Sequence, residues 1–293
     1  MITSLPNPTW GPVPELIILV HASDQNQAQE QLAGDLARHL HSRVRLLGLA
    51  PSATEKAAII PKLKRLREDL SAAGLSVEVT VETDAPVHAV RNLRTENGPR
   101  MIVVGGLGRK NILKRMLGPL ALDLLDALND SVLFVPPTAP TTIHHILLAI
   151  GALSYSQRTV EMAGLIAQAY GAKVTLLHTV YPNQHTPEAL AEPTNMRDFL
   201  VSESLFAQNF RQAISLLEDQ GIIVVPRLRR GSPLHQILAE TRATPYDLAV
   251  IGSHYSAGSL AHLLGGISQS IVRQAGIPVL VARADPTATG EKP

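Results

Sequence analysis

Apolar residues in this chain come in short runs that end in polar loops, and the same order of runs occurs twice. Residues 15–20, ELIILV, lead into His21-Ala22-Ser23-Asp24, and residues 144–150, HHILLAI, lead into Gly151-Ala152-Leu153-Ser154. Such runs predict buried strands. Each is followed by apolar residues at helical spacing: Leu32, Leu36 and Leu40 in the first half, Val160, Leu165 and Ile166 in the second. A second strand follows in each half, Val44 to Leu49 and Val174 to Val180. Charged amphipathic helices come next, near 54–73 and 197–220. Third strands are predicted at Val77 to Val81 and Ile222 to Leu228, short helices after Pro86 and Pro233, and fourth strands at Met101 to Gly105 and Leu248 to Gly252. A further helix and a fifth strand close each half, at Val132 to Val135 and Pro278 to Val281. Alternation of this kind predicts two doubly wound parallel sheets of five strands each.

The repeat has a measurable register. Gly252 and Gly265 each lie 147 positions after Gly105 and Gly118. His21 precedes Gly105 by 84 residues, whereas its counterpart Gly151 precedes Gly252 by 101, so the second half carries 17 extra residues. Their expected place is 181–197, YPNQHTPEALAEPTNMR, whose prolines and polar residues predict a loop or flap. Residues 136–143, PPTAPTTI, form a Pro/Thr linker, and 284–293 have the composition of a frayed tail. The expected domains are 1–137 and 144–284.

Composition narrows the chemistry. Hydrophobic residues make up 45% of the 293 and aromatics only 3%, which suits Leu, Val, Ile and Ala cores under a covered parallel sheet. A formal charge of +1 without a basic block gives no field for a nucleic acid. No cysteine is present, which removes disulfides, thiol nucleophiles and Cys-ligated zinc and fits a cytoplasmic protein. The start of the chain has no signal-peptide pattern, and no stretch reaches the ~18 apolar residues of a membrane span. His144 and His145 are adjacent on a strand and point to opposite faces, so eleven histidines do not amount to a metal site. No nucleophilic triad is visible by spacing, and Gly-x-Ser-x-Gly does not occur.

The glycine-rich segments after the fourth strands carry the candidate chemistry. The first is Gly105-Gly106-Leu107-Gly108, nine residues, then Gly118-Pro119. The second is Gly252-Ser253-His254-Tyr255, nine residues, then Gly265-Gly266-Ile267-Ser268. A glycine leaving a strand lets a ligand approach the backbone, and a glycine opening a helix offers free amides to a phosphate. Neither segment follows the first strand, where a dinucleotide fingerprint belongs, and no Walker A sequence occurs. In each half the plain alternative is a tight turn.

These segments, with the strand-helix order and Arg230-Gly231-Ser232-Pro233 before a short helix, resemble the universal stress protein family, one domain per half. GSHYSAGSLAHLLGGISQSIVRQAGIPVLVAR (252–283) is similar to the family's C-terminal signature almost throughout. The resemblance implies an adenine nucleotide alpha hydrolase-like fold, an internal pseudo-dimer joined through the fifth strands, and ATP or another adenine nucleotide as ligand. It also implies where the sites have decayed. The adenine-recognising Asp of ATP-binding relatives aligns with His21 and Gly151, Pro119 replaces a hydroxyl residue, and Tyr255 and Gly266 replace a glycine and a Ser/Thr. The candidate binding residues are His21, Ala22, Gly105, Gly108, Arg109 and Gly118 in the first half, and Gly252, His254, Gly265, Gly266 and Ser268 in the second. The first half, with more glycines, is the expected working half.

Arg109, Lys110, Lys114 and Arg115 would neutralise phosphates or keep that surface solvated, Arg227, Arg229 and Arg230 end the third strand near the crevice, and residues 62–70 form a solvated face. The expected function is a stress-response regulator or sensor with weak or altered nucleotide binding and no catalysis. The alternatives are a protein-interaction module with closed crevices and a protein partner, or a slow ATP hydrolase. A homodimer of such chains remains open.

Overall fold

A computed structural model describes residues 10–22, 26–93, 98–105, 123–125, 127–151, 156–180, 193, 195–252 and 261–283. The strands of the first half are β1 (Glu15–His21), β2 (Val44–Leu49), β3 (Val77–Glu82), β4 (Arg100–Val104) and β5 (Ser131–Phe134). Those of the second are β6 (His145–Ala149), β7 (Lys173–Val180), β8 (Val224–Arg230), β9 (Leu248–Gly252) and β10 (Val279–Ala282). The helices are α1 (Gln27–Leu40), α2 (Ala53–Ala72), α3 (Pro86–Asn92), α4 (Ser156–Tyr170), α5 (Met196–Val201), α6 (Leu205–Glu218), α7 (Pro233–Ala243) and α8 (Ala261–Gln274).

The two five-stranded sheets are joined edge to edge into one ten-stranded sheet in the order β3-β2-β1-β4-β5-β10-β9-β6-β7-β8. Within each half the strands are parallel and follow the order 3-2-1-4-5. The halves join antiparallel through β5 and β10, with Val279 opposite Phe134, Leu280 opposite Leu133 and Val281 opposite Val132. That is the expected internal pseudo-dimer. The seam strands are buried on both faces, which is why they are short and wholly apolar apart from Ser131. The outer strands are less covered. Pro226 on the edge strand β8 removes an N–H on the side away from β7, a common guard against sheet extension.

One face of the sheet packs against α1, α2, α4, α5 and α6, and the other against α3, residues 124–128, α7 and α8. Alternation along β1 sends Leu16, Ile18 and Val20 to the first core and Ile17 and Leu19 to the second. Helix α1 starts at Asn26, whose side chain accepts from the Gln29 amide at 3.2 Å, and ends at His41 in the left-handed conformation. At the matching end of α4 the residue is Gly171, which adopts that conformation without a side-chain penalty.

Trp10, ahead of β1, is fully buried across the boundary between the halves. Its ring lies on Gly164 of α4, and its indole N–H donates to Gln168 Oε1 at 2.9 Å. Nearby, the Tyr170 hydroxyl of α4 donates to Asp35 of α1 at 2.8 Å, and the Tyr170 ring stacks on His39 with centroids 3.9 Å apart.

Most strand limits fall within a residue or two of expectation. The helix expected over 197–220 is instead two, α5 and α6, because the Ser204 side chain accepts from the Ala207 amide at 3.2 Å and starts a new helix. The end of the expected flap is therefore helical from Met196, while 181–192 and 194 lie outside the described residues. Residues 62–70 are only partly a solvated face: Leu63, Leu66 and Leu70 are buried, and Lys62 and Arg65 reach Glu30 of α1 at 3.0 and 3.1 Å.

Candidate functional site

In an open parallel sheet the ligand crevice lies beyond the C-terminal ends of the strands where the strand order reverses. Here those points are the ends of β1 and β4 in the first half, and of β6 and β9 in the second. Of the predicted residues, His21, Ala22, Gly105 and Gly252 lie at or next to these strand ends. His21 is the last residue of β1, with Nε2 3.8 Å from Glu55 Oε1, and Ala22 follows it, packed against the core. Gly105 directly follows β4. Gly252 ends β9 and lies beside Ala282, while Gly151 stands exposed beyond β6. Gly108, Arg109, Gly118 and His254 lie outside the described residues, as do Lys110, Lys114 and Arg115.

The two crevices are built differently. In the first half the α1 residues Asn26 and Gln29 are buried at 7% and 2% exposure and turn their carboxamides into the gap between the strand ends. Gln29 Nε2 donates to Leu19 O of β1 at 2.9 Å and to Val103 O of β4 at 3.2 Å. Asn26 Nδ2 donates to Val135 O at 2.9 Å. Gly105 lies against both side chains, and a Cβ there would overlap Gln29 Oε1 and stand 3.0 Å from Asn26 Nδ2. The glycine expected to admit a ligand admits the chain's own glutamine. Nothing in the glycine spacing signals this; the one available clue was a glutamine on the buried side of α1.

The second half has other residues there. His21 and Gly151 correspond at a separation of 130 positions, which matches Asn26 with Ser156 and Gln29 with Thr159. Thr159 is buried at 1% exposure. The ladder between β6 and β9 runs from Ile146↔Leu248 to Ala149↔Ile251, whereas that between β1 and β4 stops at Ile18↔Val103, one pair earlier in the shared register. Gln29 thus takes Leu19 O where the sister half continues its ladder.

Gly265 and Gly266 lie inside α8, which begins at Ala261, so they do not open the helix as expected. The run Ala261-His262-Leu263-Leu264 extends the helix ahead of them. Among the described residues no atom lies within 4 Å of where a Cβ at Gly266 would stand, and Ser268 is buried two residues on.

Beside this crevice, His178 of β7 is buried, and its Nδ1 lies 3.3 Å from Ile150 O, next to Gly151. Its ring stacks on Phe199 of α5 at 4.8 Å, with Phe206 and Phe210 of α6 around it. Burial holds its pKa below 6.5, against a partial opposing effect of the Ile150 carbonyl. Of the basic run, Arg229 bonds to the buried Glu240 of α7 and Arg230 donates to Pro193 O at 3.1 Å. Burial pushes the Glu240 carboxyl up, but hydrogen bonds from Tyr246 and Arg229 outweigh it and leave the pKa below the usual carboxylate value. Among the described residues no group of three His, Asp or Glu is placed to hold a metal, and no helix is long and apolar enough to cross a membrane.

Comparison with known proteins agrees with this architecture. The Universal stress protein family model matches residues 16–136 and again 142–283. A universal stress protein of Thermus aquaticus, from the QAH/OAS sulfhydrylase 3′ region, is 30% identical over 142 residues, which is 47% of this chain and 97% of that protein. A universal stress protein structure from Archaeoglobus fulgidus matches at a TM-score of 0.64 and 16% identity over 93% of this chain and 99% of that one. A functionally unknown protein of Pseudomonas aeruginosa matches at 0.63 and 18% over 93% of each chain. With both halves matched by the family model and the fold shared from end to end, the chain belongs to the universal stress protein family as a tandem of two of its domains.

Proposed function

We propose that this protein is a stress-response regulator that binds an adenine nucleotide weakly at an altered site and does not turn it over. The observation that carries this reading is the switch point of the second half, where β9 ends in Gly252 and Gly151 stands two residues beyond β6, neither with a side chain. Gly266, with no described atom within 4 Å of where a side chain would begin, and the buried Ser268 belong to the helix that follows. A base lacking the usual carboxylate partner at Gly151 loses a directional hydrogen bond, which is why the affinity is expected to be low.

The test is calorimetric titration of nucleotide-stripped protein with ATP and Mg²⁺, AMP and cyclic AMP, with phosphate release followed in parallel. Saturable heat without phosphate release is expected; a folded protein that gives no heat with any of the three would sink the reading. One observation favours the second reading, a protein-interaction module. Val201, Leu205 and Phe206 lie where α5 meets α6 and are 72%, 67% and 44% exposed. That reading expects no nucleotide heat.

A further inference from the structure

The geometry points to Gln29 as an internal plug: the first half's crevice is filled by the chain's own carboxamide, so only the second half accepts a nucleotide, and shortening residue 29 opens a second site. This rests on the nucleotide reading above for the identity of the ligand, but the plug itself stands on three observations. The first is satisfaction. Gln29 Nε2 bonds Leu19 O and Val103 O, the carbonyls on the two sides of the gap where β1 and β4 part. Buried carbonyls at diverging strand ends need a donor, and here it comes from within the chain. The second is space. Gly105, the glycine leaving β4, has no room for a Cβ because Gln29 Oε1 and Asn26 Nδ2 lie against it. A ligand approaching that backbone meets the same atoms. The third is the internal comparison. The sister position of Gln29 is Thr159, a shorter residue without an amide, and the β6–β9 ladder there continues one pair further.

The plug also accounts for the glycine pattern. Gly105 and Gly252 occupy the same place in the repeat, yet the first is held as glycine by contact with Gln29. More glycines in the first half's segment therefore do not make it the working half, and the order of preference drawn from them reverses.

The experiment is titration with ATP and Mg²⁺ of the intact chain and of Gly118→Trp, Gly265→Trp, Gln29→Thr and Gln29→Met, each checked for fold by far-UV circular dichroism. The expected result is one nucleotide per chain in the parent, lost in Gly265→Trp and kept in Gly118→Trp. Gln29→Thr should bind two and Gln29→Met one, because methionine keeps the bulk without the amide. Loss of parent binding in Gly118→Trp with retention in Gly265→Trp overturns the plug while nucleotide binding stands. So does a folded Gln29→Thr with no added equivalent. A parent that binds nothing beside a Gln29→Thr that binds one upholds the plug and removes the nucleotide reading for the natural protein. If Gln29→Thr does not fold, the two tryptophan variants alone still decide which half binds.

Discussion

Substituting alanine at Gly164 tests the contact between the N-terminal segment and the second half, and its sign should depend on Trp10. A Cβ at Gly164 would stand 2.5–2.7 Å from three atoms of the Trp10 ring, closer than packed carbon atoms come. Overpacking of this kind costs about 1–3 kcal/mol. Replacing a mid-helix glycine by alanine gains about 1 kcal/mol from helix propensity. With Trp10 in place, Gly164→Ala should therefore lower stability by about 1 kcal/mol net, at the middle of those ranges. Trp10→Ala alone should cost about 3–5 kcal/mol, since the ring is fully buried and its indole N–H bonds Gln168. In the Trp10→Ala background the steric term vanishes, and Gly164→Ala should then stabilise by about 1 kcal/mol. Urea denaturation of the four proteins, followed by far-UV circular dichroism because Trp10 is the only tryptophan, gives the cycle. An equal gain from Gly164→Ala in both backgrounds would falsify the placement of the ring on that helix.

Two other predictions concern buried titratable groups. His178 is held neutral below its ordinary pKa of 6.5, so the unfolded chain takes up the proton more readily. Its contribution is complete above pH 6.5 and is lost as pH falls from there toward the folded pKa; the urea midpoint should drop between pH 7.5 and 5.5, and by less in His178→Phe. An unchanged pH difference in that variant would count against the aromatic cluster. Arg229→Met should cost about 3 kcal/mol at neutral pH, because it takes the ion-pair partner from the Glu240 carboxylate at 2% exposure and leaves it the Tyr246 hydroxyl and the more distant charge of Arg227. The loss should shrink in acid as that carboxyl protonates, and an equal loss at every pH would refute the pairing.

The inner strands were legible because each is a short apolar run, the mark that burial on both faces of a parallel sheet leaves, while the edge strands β3 and β8 are half-buried, mix charged with apolar residues and were placed by the repeat. The seam was legible for the same reason, once Val132 to Val135 and Pro278 to Val281 were matched by the repeat. The break between α5 and α6 was not, since a serine within an amphipathic run signals a cap only when its hydroxyl turns to the Ala207 amide. Trp10 was missed because its partners Gly164 and Gln168 are more than 150 residues away, and no local pattern encodes them. At the site, the glycine pattern marked the ends of β4 and β9 but gave no sign of Gln29 against Gly105. A glycine records that something comes close to the backbone. Whether that is a phosphate or a glutamine depends on a residue on another element.

The duplicated halves have thus moved apart along one helix. At the start of α1, Gln29 and the cap residue Asn26 satisfy the carbonyls of Leu19, Val103 and Val135, whereas the β6–β9 ladder of the second half runs one pair further. At its end α1 holds α4 through Tyr170 and Asp35, and burial together with that carboxylate raises the tyrosine pKa far enough to keep the hydroxyl a donor at any ordinary pH. The two carboxamides are buried, and breaking their bonds leaves unpaired groups in the core. The Tyr170–Asp35 bond is half-buried, and Arg38 and His39 also reach that carboxylate. The sister position of Gln29 on α4 is Thr159, a buried residue with no amide to place between the strand ends of the second half.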